Sequence, residues 1–186
     1  MANKVEFGIS NLHICTYTVG ENGAVTLGTP YHQKGAISFS PEQESNENNA
    51  YADNIVYWSE YTDGPFTGDL TTMLYDDEFL IQFMGYRRLS NGGLANVKNA
   101  VRPRVCIAFD IEGDAEKRRA MFYNCSLGAI NRSYETIEDE KEPANETLPI
   151  SCVGDNATGV TKATFKPGDA GYDTLYTAPT APAFED

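Results

Sequence analysis

Two histidines are all that the chain offers as imidazole bases or metal ligands, and one of them, His13, stands two residues from Cys15. In an extended strand that spacing puts both side chains on one face. There an imidazole could take the thiol proton and leave a nucleophilic thiolate. The surrounding run, His13-Ile14-Cys15-Thr16-Tyr17-Thr18-Val19, is β-branched and aromatic. Packing of both side chains into a core is therefore the plainer outcome. The adjacent carboxylates Asp76 and Asp77 could hold a metal or form an acid–base pair, but no histidine stands near them and they open a helical pattern. Carboxylates on facing strands could copy the acid pair of a glycosidase, a geometry that any acidic β-protein offers. The chain has no G-x-S-x-G, no Gly-rich phosphate loop, no dinucleotide fingerprint and no HExxH. The reading is of a non-enzyme, with no catalytic, cofactor-binding or metal-binding residues and no cofactor.

The four cysteines, Cys15, Cys106, Cys125 and Cys152, lie far apart with no CxxC between them. The opening MANKVEFGIS lacks the apolar core of an export signal, so reduced, buried thiols are expected, with a disulfide or zinc site as the lesser alternative. Charge excludes more. Asp and Glu number 27 against 14 Lys and Arg, a formal net charge of -13. Tight binding to a nucleic-acid backbone needs clustered cations, and docking on an anionic membrane needs the same. No stretch reaches the ~18 apolar residues of a membrane span. At 186 residues, with 41% hydrophobic residues, one domain over residues 1–176 is expected. A Pro/Ala-rich, extended tail, 177–186, follows it.

The elements that must position these residues are read mostly from a period of two. Val5, Phe7 and Ile9 alternate, and the His13–Val19 run continues them. Gly20-Glu21-Asn22-Gly23 then turns the chain toward Val25 and Leu27. Gly35–Ser40 looks like a strand stopped by Pro41. Val105, Ile107, Phe109 and Ile111 share one face of the clearest hairpin, whose return strand alternates Arg119, Met121, Tyr123, Cys125 and Leu127. Glu146–Cys152 carries a proline that suggests an edge or bulge, and Val160–Phe165 is a last strand. Residues 87–104 and the acidic stretch Ile137–Asn145 read as loops. The period changes once. Asp76-Asp77-Glu78 followed by Phe79, Leu80, Phe83 and Gly85 predicts one short helix, acidic at its start and closed by a left-handed glycine. The fold class is mainly β: a β-sandwich or barrel with one short α-helix and long loops.

Between the predicted strand that ends at Ser40 and the aromatic run Tyr51–Glu60 lies SPEQESNENN, acidic and without a large apolar side chain. It reads as a solvated loop or as a mobile arm that orders on a partner. The aromatic run after it places Ile55, Tyr57 and Tyr61 on one face and Val56 and Trp58 on the other, so both faces need cover.

Taken in order, NKVEFGISNLHI, YADNIVYW, GDLTTMLYDDEF leading to MG, RPRVCIAFDIEGD, RRAMFYNC and ETLPISC resemble the phi13-type major tail proteins of long-tailed phages over about residues 3–165. The TAPTAPAFED ending departs from that pattern. The resemblance implies a virion protein, assembled in the bacterial cytoplasm, whose copies close into hexameric rings stacked as the tail tube. Its implied partners are itself, the tape measure protein, and the tail terminator and distal tail proteins. DNA passes through without specific binding, and no membrane is involved. By position the resemblance makes residues 40–53 the inter-ring arm: Ser40, Pro41, Glu42, Glu44, Glu47, Tyr51 and Asp53. An acidic lumen would repel passing phosphates rather than trap them, and Asp69, Asp110 and Glu112 are its candidates. The alternative is a virion-associated β-sandwich module that binds carbohydrate or protein, with an exposed aromatic platform.

Overall fold

The computed structural model describes residues 8–134 and 144–185. Val5, Phe7 and most of the acidic stretch Ile137–Asn145 lie outside them. In chain order the elements are β1 (Gly8–Val19), β2 (Val25–Leu27), β3 (Tyr31–His32), β4 (Ala36–Ala52), β5 (Ile55–Thr72), α1 (Asp77–Met84), β6 (Arg87–Arg88), β7 (Leu94–Ala95), β8 (Arg104–Glu112), β9 (Arg119–Leu127), β10 (Asn131–Arg132), β11 (Glu146–Cys152) and β12 (Lys162–Phe165). One antiparallel sheet runs β2-β1-β8-β9-β11-β5-β4, with β3, β10 and β12 at its margins. The sheet curls until β1 and β4, five places apart along it, come into contact. No ladder joins those two strands among the described residues, so the closure is one of side chains. The expected fold class is the observed one: mainly β, barrel-like, with one short helix.

The inner face fills the barrel. Leu12 and Ile14 of β1, Ile107 of β8, Phe122 of β9, Leu148 of β11 and Leu70 of β5 meet in one fully buried cluster. Phe39, Phe66 and Phe109 set their rings around Phe122 at centroid distances of 5.2, 5.4 and 6.2 Å. α1 adds Phe79, Phe83 and Met84 to the same cluster. The helix begins as its sequence predicts. The Asp76 side chain accepts the Phe79 N–H at 2.9 Å, and Asp77 and Glu78 fill the first turn. It ends at Gly85, whose φ of 72° is the left-handed value that glycine adopts freely.

Part of the outer face is buried as well. Cys15 and Tyr17, Cys106 and Ala108, and Met121 and Tyr123 form a second cluster under β2, β12 and Leu175. β9, like β1 and β8, feeds both clusters because both of its faces are covered, but its alternation also breaks: the β8–β9 register shifts between Val105 and Ile107, and Asn124 has a φ of 51°. Met121 and Tyr123 therefore face outward, whereas Cys125 and Leu127 join the inner core.

Three further expectations change. Cys125 and Cys152 are not thiols: they face each other across β9 and β11, with Cα atoms 3.9 Å apart, and form a disulfide. Sheet register creates that pair, and the 27-residue separation in sequence concealed it. Cys15 and Cys106 do remain free and buried. β11 is an interior strand despite Pro149. On its β9 side, however, pairing starts only at Ile150. The Pro149 carbonyl accepts from Gly128 on that side, and the Gly128 carbonyl, which a Pro149 N–H would have met, accepts from Arg102 instead. Finally, Pro41 does not stop its strand, and residues 40–49 are not a loop.

Candidate assembly surfaces

β4 and β5 form a hairpin of 17 and 18 residues. Asp53 and Asn54 turn it with φ values of 52° and 63°, the pair of positive values that a two-residue hairpin turn requires. The root belongs to the barrel. From Phe66 to Thr72, β5 pairs with β4 on one side and β11 on the other. Pro41 is tolerated because β4 is the sheet's edge. Opposite it, Gly68 is required: a Cβ there would lie 2.1 Å from the Ser40 carbonyl oxygen. Beyond Phe66 β5 has only β4 beside it, and the two strands project ~30 Å at ~3.3 Å per residue.

Among the described residues nothing covers either face of that projection. Tyr51, Ile55, Val56, Tyr57, Trp58 and Tyr61 are all exposed, Tyr57 at 78%. Between Ala50 and Tyr51 the register shifts, leaving Tyr57 without a cross-strand partner. Small polar links hold the ribbon: Ser59 Oγ donates to Glu47 at 3.1 Å, and Asn48 Nδ2 to Thr62 at 3.0 Å. From 41 to 66 the chain has no Lys or Arg, while Glu42, Glu44, Glu47, Asp53, Glu60 and Asp63 are acidic.

The seven residues expected in an arm thus divide. Ser40, Pro41 and Glu42 pair with Asp69, Gly68 and Thr67 in the barrel wall. Glu44, Glu47, Tyr51 and Asp53 lie on the projecting ribbon or its turn and are exposed. The expectation of a loop is corrected, because β5 supplies the pairing that makes a polar sequence a strand. Ile55, Val56, Tyr57, Trp58 and Tyr61 of the return strand belong to the same projection, although only its first half was expected to form the arm.

The lumen candidates share one face of the sheet, the outer one. Asp69 is exposed on β5, on a stretch of small hydroxylated side chains that includes Ser38, Ser40, Thr67, Thr71 and Thr147. Nothing among the described residues covers that stretch. Glu112 accepts a hydrogen bond from Ser10 at the far end of β8. Asp110 is engaged: Arg119 Nε donates to it at 2.9 Å, the Tyr176 hydroxyl at 2.7 Å and Asn11 at 3.1 Å. The Arg119 guanidinium also lies 3.9 Å from the Tyr172 ring centroid and 4.5 Å from that of Tyr176. These contacts strap the C-terminal segment over the second core, and burial pushes the Tyr176 hydroxyl well above its ordinary pKa.

A second clamp holds the turn after β11. Asp155 accepts from the Tyr17 hydroxyl at 2.9 Å, from the Thr158 N–H and hydroxyl at 2.8 Å each, and from the Ala157 N–H at 3.1 Å. Burial alone would raise its pKa, but these donors outweigh burial and hold it below the usual carboxylate value.

The residues that could do covalent chemistry are occupied elsewhere. His13 is stacked between His32 and Tyr176, at centroid distances of 4.6 and 4.2 Å, and its Nδ1 lies 2.8 Å from the Asn11 carbonyl oxygen. Burial lowers its pKa. Cys15 faces Cys106 across the β1–β8 ladder and not His13. Asp76 caps α1 and accepts from Tyr31, and Asp77 lies 3.6 Å from Arg88 at the surface. Among the described residues no three His, Cys, Asp or Glu side chains are grouped to hold a metal ion.

No protein-family model and no curated protein matches the chain. Solved structures do. The cap of the anti-feeding prophage, a tube-terminating cap, superposes with a TM-score of 0.51 at 8% identity, over 88% of this chain and 95% of that one. The sheath/tube terminator of an extracellular contractile injection system, PVC, gives 0.48 at 7% identity, over 88% and 99%. A chain of the PVC sheath–tube complex gives 0.41 at 9%, over 87% and 94%. At these identities the likeness is one of fold, and the argument for it rests on the first superposition. The resemblance to phi13-type tail proteins is carried by the quoted residues alone.

Proposed function

We propose that the protein is a non-enzymatic structural subunit of a phage-type tail and that its copies close into rings and stack into a tube. The observation that carries this reading is the projecting hairpin. It exposes six large apolar side chains, spread over both faces of a ribbon that no other described strand flanks, and exposed apolar surface concentrated on one element marks an interaction site. A solved structure with which the chain shares its fold is a tube-terminating cap. Rings of six, a place in the virion tail, and contacts with tape measure, terminator and distal tail proteins follow from the resemblance.

Within such a ring the hydroxyl-rich outer face of β4, β5 and β11 is the best lining for a DNA channel. Its Ser and Thr side chains are short and neutral, and Asp69 and Glu42 supply negative charge with no cation among them. The DNA backbone would be repelled there rather than held. Asp110 and Glu112 stand on the outer face of β8, three strands from β5 around the barrel, so they point away from that lining, and Arg119 neutralises Asp110.

The fold of the cap favours a second reading, a single terminating ring that does not grow. Electron microscopy of the purified protein over a concentration series separates the two. Stacked rings or filaments are expected, with the hydroxyl face turned to the channel. Isolated rings would support the terminator. A monomer at all concentrations, or a channel lined by Lys and Arg, would sink the proposal. The informative truncation is symmetrical. Replacing residues 45–63 by a short turn should leave melting unchanged and abolish assembly, whereas removing only 40–49 also strips the barrel of its edge strand.

A further inference from the structure

The hairpin's docking site can be sought on the same chain. Residues 86–104 hold Arg87, Arg88, Lys98, Arg102 and Arg104 and no acidic residue, in a protein whose formal net charge is -13 with only 14 basic side chains. Arg102 is committed to the Leu127 and Gly128 carbonyls. Arg87, Arg88, Lys98 and Arg104 are exposed. Arg88 has one acidic neighbour, Asp77 at 3.6 Å, with both side chains about 60% exposed, a link of little strength in water. Apolar side chains stand among these cations: Val101 is 91% exposed and Leu89 51%. The patch therefore complements the hairpin in both respects, cations for its carboxylates and bare aliphatics for its aromatics.

Strand polarity decides whether the two can meet within one chain. β5 runs from the hairpin turn toward Thr72, and α1 and the basic segment follow from that end. β8 and β11 run opposite to β9 and β5. Arg104, the first residue of β8, therefore lies at the Thr72 end of the sheet, and the hairpin projects from the other end. The ribbon points away from the basic patch of its own chain. A surface at one end that fits a different surface at the other is a heterologous contact, which joins copies head to tail and makes rings or stacks.

We propose that the β4–β5 hairpin of one copy docks on the 86–104 segment of the next, with Glu44 and Glu60, which share one face of the ribbon, facing Arg87, Arg88 and Lys98. This deepens the tube reading and rests on it. The test is a charge exchange in solution. One variant carries Arg87→Glu, Arg88→Glu and Lys98→Glu; the other carries Glu44→Lys and Glu60→Lys. Each alone should raise the protein concentration needed for assembly by about tenfold or more, since like charges then face each other at every contact. An equimolar mixture of the two should assemble within about threefold of the wild-type concentration, because every hairpin again meets a loop of opposite charge. Should the triple variant melt early, Arg88→Gln with Lys98→Gln replaces the loop arm, and a rise of about threefold is expected.

If the wild-type protein never assembles, the tube reading fails. If it assembles and the loop variant assembles equally well, only the docking site fails. Folded variants that are each defective and not rescued by mixing overturn it too.

Discussion

The strands β1, β8 and β9 and the outer half of β5 all carry β-branched or aromatic side chains and have opposite fates. Ile14 and Ile107 are 0% exposed and Tyr123 1%, whereas Tyr57 is 78% and Ile55 63% exposed. The first three strands have sheet neighbours on both sides, a barrel interior beneath them and the C-terminal strap above. The ribbon has one neighbour and no cover. Burying an aliphatic or aromatic side chain is worth about 1.5–3 kcal/mol, and on the ribbon that gain is still unrealised. The difference separates the strands that build the fold from a ribbon that the fold leaves bare and that the proposed assembly would cover.

That division breaks if the two regions respond alike to truncation. The largest effect is expected at Phe122, 1% exposed and ringed by Phe39, Phe66 and Phe109. Phe122→Ala removes the centre of the aromatic cluster and leaves a cavity, at a cost of about 3–5 kcal/mol. Chemical denaturation of the soluble protein should show that loss as a lower midpoint with an unchanged slope.

Asp155 sharpens the comparison at intermediate size. It belongs to the two-sided region and ties the turn after β11 to Tyr17 of β1. Asp155→Asn keeps the shape and removes the charge that its donors favour, for a loss of about 1–3 kcal/mol at neutral pH. The Asp155 pKa is lowered in the folded state, so its contribution is present above the unfolded carboxylate pKa. It is lost as pH falls through the folded value. Melting curves of wild type and variant should be well separated at pH 7 and converge below about pH 4. A constant gap would mean that the carboxylate charge is not what holds the turn.

How far the sequence betrayed this division depends on the range of the signals. α1 was legible in full because its cap, first-turn acids and closing glycine all lie within ten residues. The β8–β9 hairpin was legible from alternation, but its bulge was not: Asn124 merely tolerates positive φ and gives no notice of it. The ribbon's first strand was misread because it faces water on both sides, so the usual apolar half of the pattern is missing. Asp53-Asn54 was the overlooked signal, two adjacent residues that accept left-handed backbone. Asp110 looked like a free carboxylate because Tyr176, which helps to engage it, lies 66 residues away. The Cys125–Cys152 pair was hidden in the same way, since only the strand order brings β9 beside β11.

The smallest effect on stability should come from Trp58→Ala, and it discriminates best. Trp58 is the chain's only tryptophan. It is 48% exposed and pairs across the ribbon with Ala50. In an ordinary core, removing a tryptophan costs about 3–5 kcal/mol. On an uncovered ribbon the melting free energy of the monomer should move by no more than about 0.5 kcal/mol, as at other exposed sites. Its effect belongs to association, where a buried aromatic anchor is commonly worth about 2 kcal/mol or more, so assembly should require roughly thirtyfold more protein by the same conversion. Denaturation and light scattering on one preparation give both numbers. A large loss of monomer stability with unchanged assembly would reverse the roles assigned to the two regions: the ribbon would be part of the fold, and the surface that joins copies would lie elsewhere.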